Sequence, residues 1–326
     1  MGIPYEKQHL DFEQQLGRLV SRGMRVDNPE AAINTLRTVG YYRLSAYSHV
    51  LRVKKPDGDP NHDERMDDFV EGATFESVHA LWKFDRGLRL HFLDGLEQFE
   101  VALRTSIAYN AGKKNAFVHM RPDLLDKDFV AQPNTALPER HSKYDQWLIE
   151  YRGRLESSKN EAFVKWFAQK YEGKLPIWAA VEVLQMGQLA GLFRGLELGD
   201  RNAIAEEFGM TAKVFGSAIA AFNAIRNISA HHSRLWNRTL VVSPGRPKLG
   251  LAPVLDHLHS LTDWQIKRVY VPLAELAWLL EVRTGETLWK VETRDFLAKF
   301  PAGDQMSLQS MGFPDSWENL ELWSAV

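Results

Sequence analysis

Apolar residues recur along most of this chain at the spacing of one face of an α-helix. Between Thr74 and about Asn110 they recur at steps of three, four and seven, at Leu81, Leu88, Phe92, Leu96, Phe99, Leu103 and Ile107. Such a stripe is typical of a long amphipathic helix that buries one side. We expect Thr74 to be the N-cap of this helix and Gly112 to end it.

The same pattern predicts several shorter helices. They are expected over 10–24, 29–39, Pro176 to Gly199, Arg201 to Phe208, Thr211 to about Ile225, and a stretch that begins at Thr262. Pro176 suits the first turn of its helix, whereas Pro272 lies inside the last stretch and is expected to kink it. Trp178, Trp264 and Trp278 fall at helical core spacing, which predicts that they are buried.

Signals for β-structure are sparse. Residues 239–242 (Thr-Leu-Val-Val) precede a Ser-Pro-Gly turn and predict one arm of a small hairpin. Loops rich in turn residues are predicted over 54–73, 121–140 and 243–253. Because no internal repeat and no long low-complexity linker interrupts the pattern, we expect a mostly α chain with one continuous core and a C-terminal extension after about residue 285.

Composition excludes several classes of protein. With 326 residues, 44% of them hydrophobic, and a formal net charge of −2, the chain can bury a large core. No apolar run reaches the length of about 18 residues that a membrane helix needs, so we expect no membrane partner. The absence of Cys excludes disulfides, thiolate zinc sites, iron–sulfur clusters and Cys nucleophiles. Together with an N-terminus that lacks a secretory pattern, this predicts a cytoplasmic protein.

Positive charge is concentrated in two windows that contain no acidic residue, 31–56 and 208–255. Their basic residues are Arg37, Arg43, Arg52, Lys54 and Lys55 in the first, and Lys213, Arg226, Arg234, Arg238, Arg246 and Lys248 in the second. Clustered cations suit phosphate groups, so both windows predict nucleic-acid contacts. The alternative is that each window is a solvated face balanced by acidic residues nearby in space.

The most informative segment is 224–238, Ala-Ile-Arg-Asn-Ile-Ser-Ala-His-His-Ser-Arg-Leu-Trp-Asn-Arg. On a continuous helix Asn227 and His231 are four residues apart and share a face. Imidazole transfers protons near neutral pH, and the guanidinium of Arg226 can bind a phosphate and stabilise its transition state. The group therefore suits phosphodiester cleavage, and with RNA the 2′-OH of the substrate can be the nucleophile, so no metal is required. The alternative is that these residues cap and pack the end of a helix.

Aromatic residues are interleaved with Arg in the first acid-free window, at Tyr41, Tyr42, Arg43 and Tyr47. Such aromatic rings can stack on exposed bases while the cation meets the backbone, which favours contact with RNA. The alternative is that Tyr41 or Tyr42 caps a helical core and leaves its hydroxyl at the surface.

Other chemical signals are weaker. His257 with His259, and the run His-Asp-Glu at 62–64, could each supply metal ligands, but neither has a convincing third and fourth ligand, so we expect no metal site. Arg86 and His91 repeat the Arg-x4-His spacing without an Asn after the Arg, which we interpret as chance. No phosphate-binding loop and no nucleophile elbow is present, so nucleotide hydrolysis and serine-hydrolase chemistry have no support.

Five segments of the chain carry a family signature. One is Arg226-Asn227 with His231-His232 and the following Arg-Leu-Trp-Asn-Arg at 234–238. The others are 41–47 (Tyr-Tyr-Arg-Leu-Ser-Ala-Tyr), 84–105 (Phe-Asp-Arg at its start and Glu-Val-Ala-Leu-Arg-Thr at its end), 175–182 (Leu-Pro-Ile-Trp-Ala-Ala-Val-Glu) and 311–317 (Met-Gly-Phe-Pro-Asp-Ser-Trp). In this order along the chain, the five segments resemble the Abi-like family of abortive-infection proteins, the AbiD/AbiF group. His91 departs from the resemblance, because that position is usually apolar in the family.

The resemblance implies an all-α, HEPN-like helical bundle. On that pattern residues 1–326 form a single Abi-like domain, with an N-terminal helical and RNA-contact region over 1–73, a HEPN-like helical core over 74–285 and a C-terminal extension over 286–326. HEPN proteins are commonly metal-independent RNases that use an Arg-x4–6-His motif, with two copies meeting at a dimer interface. The resemblance therefore implies a homodimer without a cofactor.

Site residues carry over where the motif matches. His231 would be the acid/base, Arg226 the contact to the phosphate and transition state, and Asn227 the residue that orients them. His232 is a second candidate for the acid/base, because Arg-x5-His also fits the motif. The expected RNA contacts are Tyr41, Tyr42, Arg43, Tyr47, Arg52, Lys54, Lys55, Arg234, Arg238, Arg246 and Lys248.

The function that the resemblance implies is an abortive-infection protein that binds RNA and cleaves it without a metal. Some members of the group are similar to toxins that are restrained by a small noncoding RNA, so RNA is the expected partner. One alternative is a non-catalytic RNA-binding module or phage sensor, which needs only the two basic windows. Another alternative is a protein-interaction component that uses its helices as an interface. The two positive windows disfavour this interpretation.

Overall fold

A computed structural model describes residues 8–56, 64–131, 141–301, 303 and 305–324. The α-helices in this part of the chain are α1 (Phe12–Ser21), α2 (Pro29–Val39), α3 (Tyr41–Ser48), α4 (Phe75–Gly112), α5 (Lys127–Val130), α6 (Lys143–Ser157), α7 (Ala162–Lys170), α8 (Ile177–Val183), α9 (Met186–Gly195), α10 (Leu198–Glu206), α11 (Ala212–Ala230), α12 (Asp263–Ile266), α13 (Tyr270–Thr284) and α14 (Leu288–Leu297). The predicted all-α class is confirmed. The described strands form one two-stranded sheet, and the described β-structure is otherwise limited to isolated bridges.

The chain divides into two compact units. The first contains residues up to Leu88 together with Leu297–Ser310, and the second contains Arg89–Phe296 together with Met311–Val326. The expectation of a single domain over the whole chain, with its three sub-parts, stays a prediction. No helix among the described residues is both long enough and apolar enough to cross a membrane.

The first unit contains α1 to α3 and the N-terminal part of α4. A capping box at Asp11 and Gln14 starts α1, and Asn28 caps α2 through the amide of Ala31. The sheet pairs β1 (Arg52–Lys54) with β2 (Arg65–Phe69) in antiparallel order. The strand predicted at 239–242 is wrong, because these residues form no strand, and the hairpin lies at the predicted 54–73 loop instead.

The second unit is built around the apolar stripe of α4. As predicted, this helix is capped by Thr74, whose Oγ1 accepts the amide of Ser77 at 3.1 Å, and it ends at Gly112. The stripe residues from Leu96 onward, including Phe99, are at most 1% exposed. Burial of such side chains is the main source of stability in a helical core.

Two predicted helices are interrupted. The stretch predicted over Pro176 to Gly199 contains α8, α9 and the start of α10, because Leu184 is extended (ψ 143°) and Gln185 starts α9 with a capping box to Gln188. Gly199 is the second residue of α10 and does not end the region. The stretch from Thr262 is likewise divided into α12 and α13. Pro272 is the third residue of α13 and does not kink it, because amides in the first turn have no partner within the helix.

The prediction that three Trp residues are buried is correct for Trp278 alone. Trp278 is 8% exposed, whereas Trp178 is 55% and Trp264 is 50% exposed. Trp264 instead lies beneath the guanidinium of Arg268, at 4.3 Å from its ring centroid. The helical spacing identified the correct helices, but a short helix at the surface exposes residues of its apolar pattern.

Candidate functional site

The motif segment belongs to α11, whose apolar face fixes the helix in the second unit. Phe215, Ile219, Phe222 and Ile225 are fully buried on that face. The ring of Phe99 lies 5.0 Å from that of Phe222 and 5.9 Å from that of Phe215. These edge-on contacts hold α11 against α4, so the opposite face of α11 is left for polar residues.

The polar face of α11 carries Asn223, Arg226 and Asn227. Arg226 Nη1 lies 3.4 Å from Asn227 Oδ1, so the guanidinium and the amide are held side by side. The helix ends at Ala230, and the amide of His231 still donates to the carbonyl of Asn227 at 3.0 Å. The backbone therefore supports the predicted shared face of Asn227 and His231, which lie four residues, or about 6 Å, apart along the helix axis.

The two histidines differ in backbone conformation. His231 is the C-cap of α11, with φ of −89° and ψ of 11°, and its amide still bonds to the helix, whereas His232 has φ of +57° and leaves the helical path. Both side chains are exposed. Only His231 therefore continues the face that carries Asn227, which favours His231 over His232 as the partner of Arg226 and Asn227.

Arg226 and Asn227 line a polar cleft of about 440 Å³, which we call the Arg226 cleft. Three helices supply its walls: α11, the second half of α6 and the N-terminus of α9. Its polar lining includes Glu150, Arg154, Gln185, Gln188, Asn223 and the pair Arg226 and Asn227. In the described part of the chain, neither His231 nor His232 lines the Arg226 cleft. Both imidazoles lie outside it, past the C-terminal end of α11.

The floor of the Arg226 cleft brings together groups that favour an anion. The first-turn amides of α9, at Met186 and Gly187, have no partner within the helix and form its positive dipole end. A Cβ at Gly187 would lie 3.5 Å from the Asn223 amide, so the start of α9 approaches α11 closely. Two guanidinium groups on the other walls, Arg154 and Arg226, outnumber the one carboxylate of the lining, Glu150, so the cleft suits a phosphate.

A second cleft, which we call the connecting cleft, adjoins the first and has a volume of about 600 Å³. It shares Arg154, Gln185 and Arg226 with the Arg226 cleft. Arg104 also lines it, donating to Glu100 at 2.5 Å and to the carbonyl of Leu184 at 2.9 Å. The bond from Arg104 to Leu184 links α4 to the break between α8 and α9, where the lining of the Arg226 cleft begins.

Buried contacts fix the chain that follows the motif. Leu235 and Trp236 are fully buried, and Arg89, itself 5% exposed, donates to the carbonyl of Ser233 at 3.4 Å. Arg268 donates to the carbonyl of Asn237. Burial, with a smaller contribution from a neighbouring guanidinium, lowers the pKa of Arg268.

The predicted RNA contacts of the second basic window differ in exposure. Arg238 and Lys248 are exposed, whereas Arg234 and Arg246 are half-buried. Arg246 Nη1 donates to the carbonyl of Leu258 at 3.2 Å, so one of its hydrogen-bond donors is already used within the protein. All four stay predicted RNA contacts, and Arg238 and Lys248 are the most accessible of them.

The first basic window is partly balanced by acidic residues. Arg52 pairs with Asp67 at 3.3 Å and Lys55 pairs with Glu64 at 2.9 Å, across the hairpin. Lys54 is exposed. For Arg52 and Lys55 the alternative interpretation therefore applies, in which nearby acidic residues balance the basic window. Their ion pairs make both residues weaker candidates for RNA contacts.

The aromatic cluster of the first window is also divided. Tyr42 is 91% exposed, and its neighbour Arg43 is exposed, whereas Tyr41 is half-buried. Tyr47 is 1% exposed and donates to Asp85 Oδ2 at 2.6 Å. A buried ring offers no face to a base, so Tyr47 belongs to the core and we no longer count it as an RNA contact.

The histidines considered for metal binding are occupied by hydrogen bonds. His257 contacts the carbonyl of Val254 at 3.0 Å and the hydroxyl of Tyr270 at 2.7 Å. His259 contacts the carbonyl of Pro247 at 2.7 Å. His62 and Asp63 lie outside the described residues. In the parts of the chain that the structure describes, no group of three or more His, Asp or Glu side chains is arranged to hold a metal ion.

His91, the position that departs from the resemblance, has a packing role. Its ring stacks on Trp289 with centroids 4.5 Å apart, and it makes a 2.6 Å hydrogen bond with Thr293 Oγ1. Burial lowers the pKa of His91 to about 4, so the ring is neutral near pH 7. These contacts account for a histidine at this point of α4 without a catalytic role.

Sequence reasoning missed the residues that α6 and α9 contribute to the site. Arg154 and Gln185 lie far from the motif in sequence and belong to no recognisable pattern. Asn223 had a usable signal, because it precedes Asn227 by four residues on the same face of α11. The remaining lining residues become neighbours only when α6, α9 and α11 pack together.

The comparisons with known proteins identify a family. Residues 34–237 match the family described as Abi-like protein, which is more than half of the chain and includes the motif on α11. Searches of curated proteins and of solved structures gave no match. The chain belongs to the Abi-like protein family.

Proposed function

We propose that this protein is a metal-independent endoribonuclease of abortive infection, with its active site at the end of α11. Membership of the Abi-like family supports the abortive-infection role. The observation that carries the nuclease proposal is the pairing of Arg226 with Asn227 in one polar cleft, one helical turn before His231. A HEPN-type RNase would use these residues.

Each member of the site has a chemical role in this proposal. The guanidinium of Arg226 binds the scissile phosphate and stabilises the charge that develops on it. The amide of Asn227, held beside Arg226, orients the phosphate. His231 is the acid/base, because an exposed imidazole can exchange protons with both substrate and water.

The proposed reaction is a transesterification within the RNA. The 2′-oxygen gives its proton to one imidazole and attacks the adjacent phosphorus, forming the O2′–P bond. The P–O5′ bond breaks, and the leaving 5′-oxygen takes a proton from a second acid, so the products are a 2′,3′-cyclic phosphate and a 5′-hydroxyl. In a homodimer, His231 of the second copy supplies that acid, and His232 is the candidate within one chain.

The proposal includes binding and control by RNA. Arg238 and Lys248 extend the positive surface beyond the motif, and Tyr42 with Arg43 offers an exposed ring and cation in the first unit. A small noncoding RNA bound at these surfaces would restrain the nuclease until infection.

The test compares site variants in an RNA cleavage assay. Purified protein is incubated with a 5′-labelled RNA in the presence of a chelator, and the ends of the products are analysed. We expect His231→Ala and Arg226→Ala each to reduce cleavage by about 10²-fold or more. His9→Ala, which alters an exposed histidine far along the chain from the motif, is the matched control and should leave the rate unchanged.

The outcomes separate the proposed function from its alternative. Cleavage that yields a 2′,3′-cyclic phosphate and stops on 2′-deoxy substitution at the cut site supports the proposal. Salt-dependent RNA binding without cleavage under any condition would instead identify a non-catalytic RNA-binding module or phage sensor. Full activity in a folded His231→Ala variant would refute the assignment of the active site.

A further inference from the structure

A third cleft lies between the C-terminal half of α4 and the short helix α8, with a volume of about 530 Å³. We call it the aromatic cleft. Thr105 and Tyr109 lie four residues apart on α4, as do Trp178 and Glu182 on α8, and Lys113, just past the end of α4, also lines the cleft. One face of each helix therefore forms one wall of the cleft.

Two large aromatic side chains stand exposed in the aromatic cleft. Tyr109 is 67% and Trp178 is 55% exposed, although both belong to the second unit with its well-buried core. Lys113 Nζ lies 4.2 Å from the centroid of the Tyr109 ring. A Cβ at Gly112 would lie 3.6 Å from Trp178 Cε3, so the indole lies close along α4. The cleft thus offers two aromatic rings and a cation to solvent.

The carboxylate of Glu182 completes the lining. Among the described residues Glu182 has no hydrogen bond or ion pair, and it is exposed. An ionised carboxylate has two acceptor oxygens and no donor. A ligand that fits this cleft therefore combines a flat ring with hydrogen-bond donors on its edge.

The aromatic cleft shares lining residues with the connecting cleft, which in turn shares lining residues with the Arg226 cleft. Arg104 and Glu182 line both the aromatic cleft and the connecting cleft. Arg154 and Arg226 line both the connecting cleft and the Arg226 cleft. These shared residues give the path that a strand with a phosphate at Arg226 would take to the exposed rings.

We propose that the aromatic cleft binds a guanine base of the RNA strand whose phosphate lies at Arg226, which makes it a specificity pocket of the nuclease. The inference rests on the proposed function. Stacking on Tyr109 and Trp178 supplies affinity for any base, and Lys113 is placed to meet the strand's backbone. Glu182 selects the base.

The selection follows from the edges of the four bases. Guanine presents two adjacent donors, N1–H and the N2 amino group, which match the two oxygens of a carboxylate. Adenine and cytosine each place an acceptor nitrogen beside their amino group, and uracil flanks its single N–H with two carbonyl oxygens. A carboxylate repels those acceptors, so Glu182 favours guanine.

A nucleic-acid base suits this cleft better than a second copy of the chain. The buried centre of a protein–protein interface is depleted in Lys and Glu, whereas here Lys113 and Glu182 flank the two rings. A strand of RNA keeps both charged groups partly in water and meets each with a complementary partner.

The experiment measures RNA binding by fluorescence anisotropy in the His231→Ala background, which keeps the RNA intact. The probes are 5′-fluorescein nonamers of uridine with guanosine, adenosine, cytidine or uridine at the centre. We expect the guanosine probe to bind about tenfold more tightly than the others, and Glu182→Gln to remove that preference. Trp178→Ala and Tyr109→Ala should each weaken all probes by about tenfold or more.

Two control variants keep the test specific. Trp166→Ala removes a Trp that is 46% exposed and lines none of the three clefts, so it should bind like the parent. Trp178→Phe keeps a stacking face and should restore binding, which separates stacking from a loss of folding.

The failures of the two proposals are distinct. If the unaltered protein cuts RNA and binds the probes but Trp178→Ala and Tyr109→Ala change nothing, the aromatic cleft is not a base site and this inference is overturned alone. A change in assembly mass on Trp178→Ala, measured by light scattering, would overturn it in favour of an interface between copies. If the unaltered protein neither binds nor cuts RNA, both proposals are refuted.

Discussion

His119 is fully buried, and its burial makes the stability of the protein depend on acidity. Its ring lies edge-on to Trp147 and Tyr151, with centroids 6.3 and 5.3 Å away. Neither ring nitrogen has a hydrogen-bond partner among the described residues. Burial lowers the pKa of His119 to about 4, because a charged imidazole would lose its hydration without gaining a partner.

The direction of the pH effect follows from proton binding. An unfolded histidine has a pKa of about 6.5, so below that pH the unfolded chain binds a proton that the folded chain does not. Acid therefore destabilises the fold. For a shift from 6.5 to about 4, the free energy of unfolding falls by about 2 kcal/mol at pH 5 and about 3 kcal/mol at pH 4. His91, with the same lowered pKa, contributes a similar loss.

The test is urea unfolding, followed by Trp fluorescence, at pH 7.5 and pH 5. The unaltered protein should lose about 4 kcal/mol between these values from the two histidines together. His119→Leu, which cannot be protonated, should lose about 2 kcal/mol less, whatever its stability at pH 7.5. His9→Leu, at an exposed position, should behave like the unaltered protein. An equal loss in His119→Leu and in the unaltered protein would refute the reasoning.

Three further substitutions test local packing and capping by thermal unfolding. A Cβ at Gly195 would lie 2.4 Å from the Phe129 ring, so Gly195→Ala should cost about 1–3 kcal/mol; an unchanged midpoint would contradict this contact. Gly199 in α10 has no described atom within 4 Å of such a Cβ, so Gly199→Ala should stabilise by about 0.5–1 kcal/mol. Ser142 caps α6, and Ser142→Ala should cost about 1 kcal/mol, which an unaltered unfolding midpoint would disprove.

The candidate site shows which features helical periodicity can predict and which it cannot. The spacing of Phe215 and Phe222 predicted α11 and its buried face, and the motif predicted a polar group at its end; these are local properties. The clefts beside that group are not local. Arg154 and Gln185 reach Arg226 only because α6 and α9 pack against α11.

Burial of aromatic residues was the weakest part of the sequence reasoning. Trp178 and Tyr47 follow similar helical patterns, yet Trp178 is largely exposed and Tyr47 is buried with its hydroxyl bonded to Asp85. A pattern gives the face of a helix on which a residue lies. It does not give how far the neighbouring elements extend over that face.

By itself the sequence determined the all-α class, the long helix α4 with its cap at Thr74, the buried face of α11 and the family, because periodicity, caps and ordered motifs are properties of short stretches of chain. Tertiary structure alone decided the break at Leu184 and Gln185, the true position of the hairpin and the residues that neighbouring clefts share. These features depend on the free energy of contacts between residues far apart in sequence. That free energy cannot be read from any single stretch of the chain.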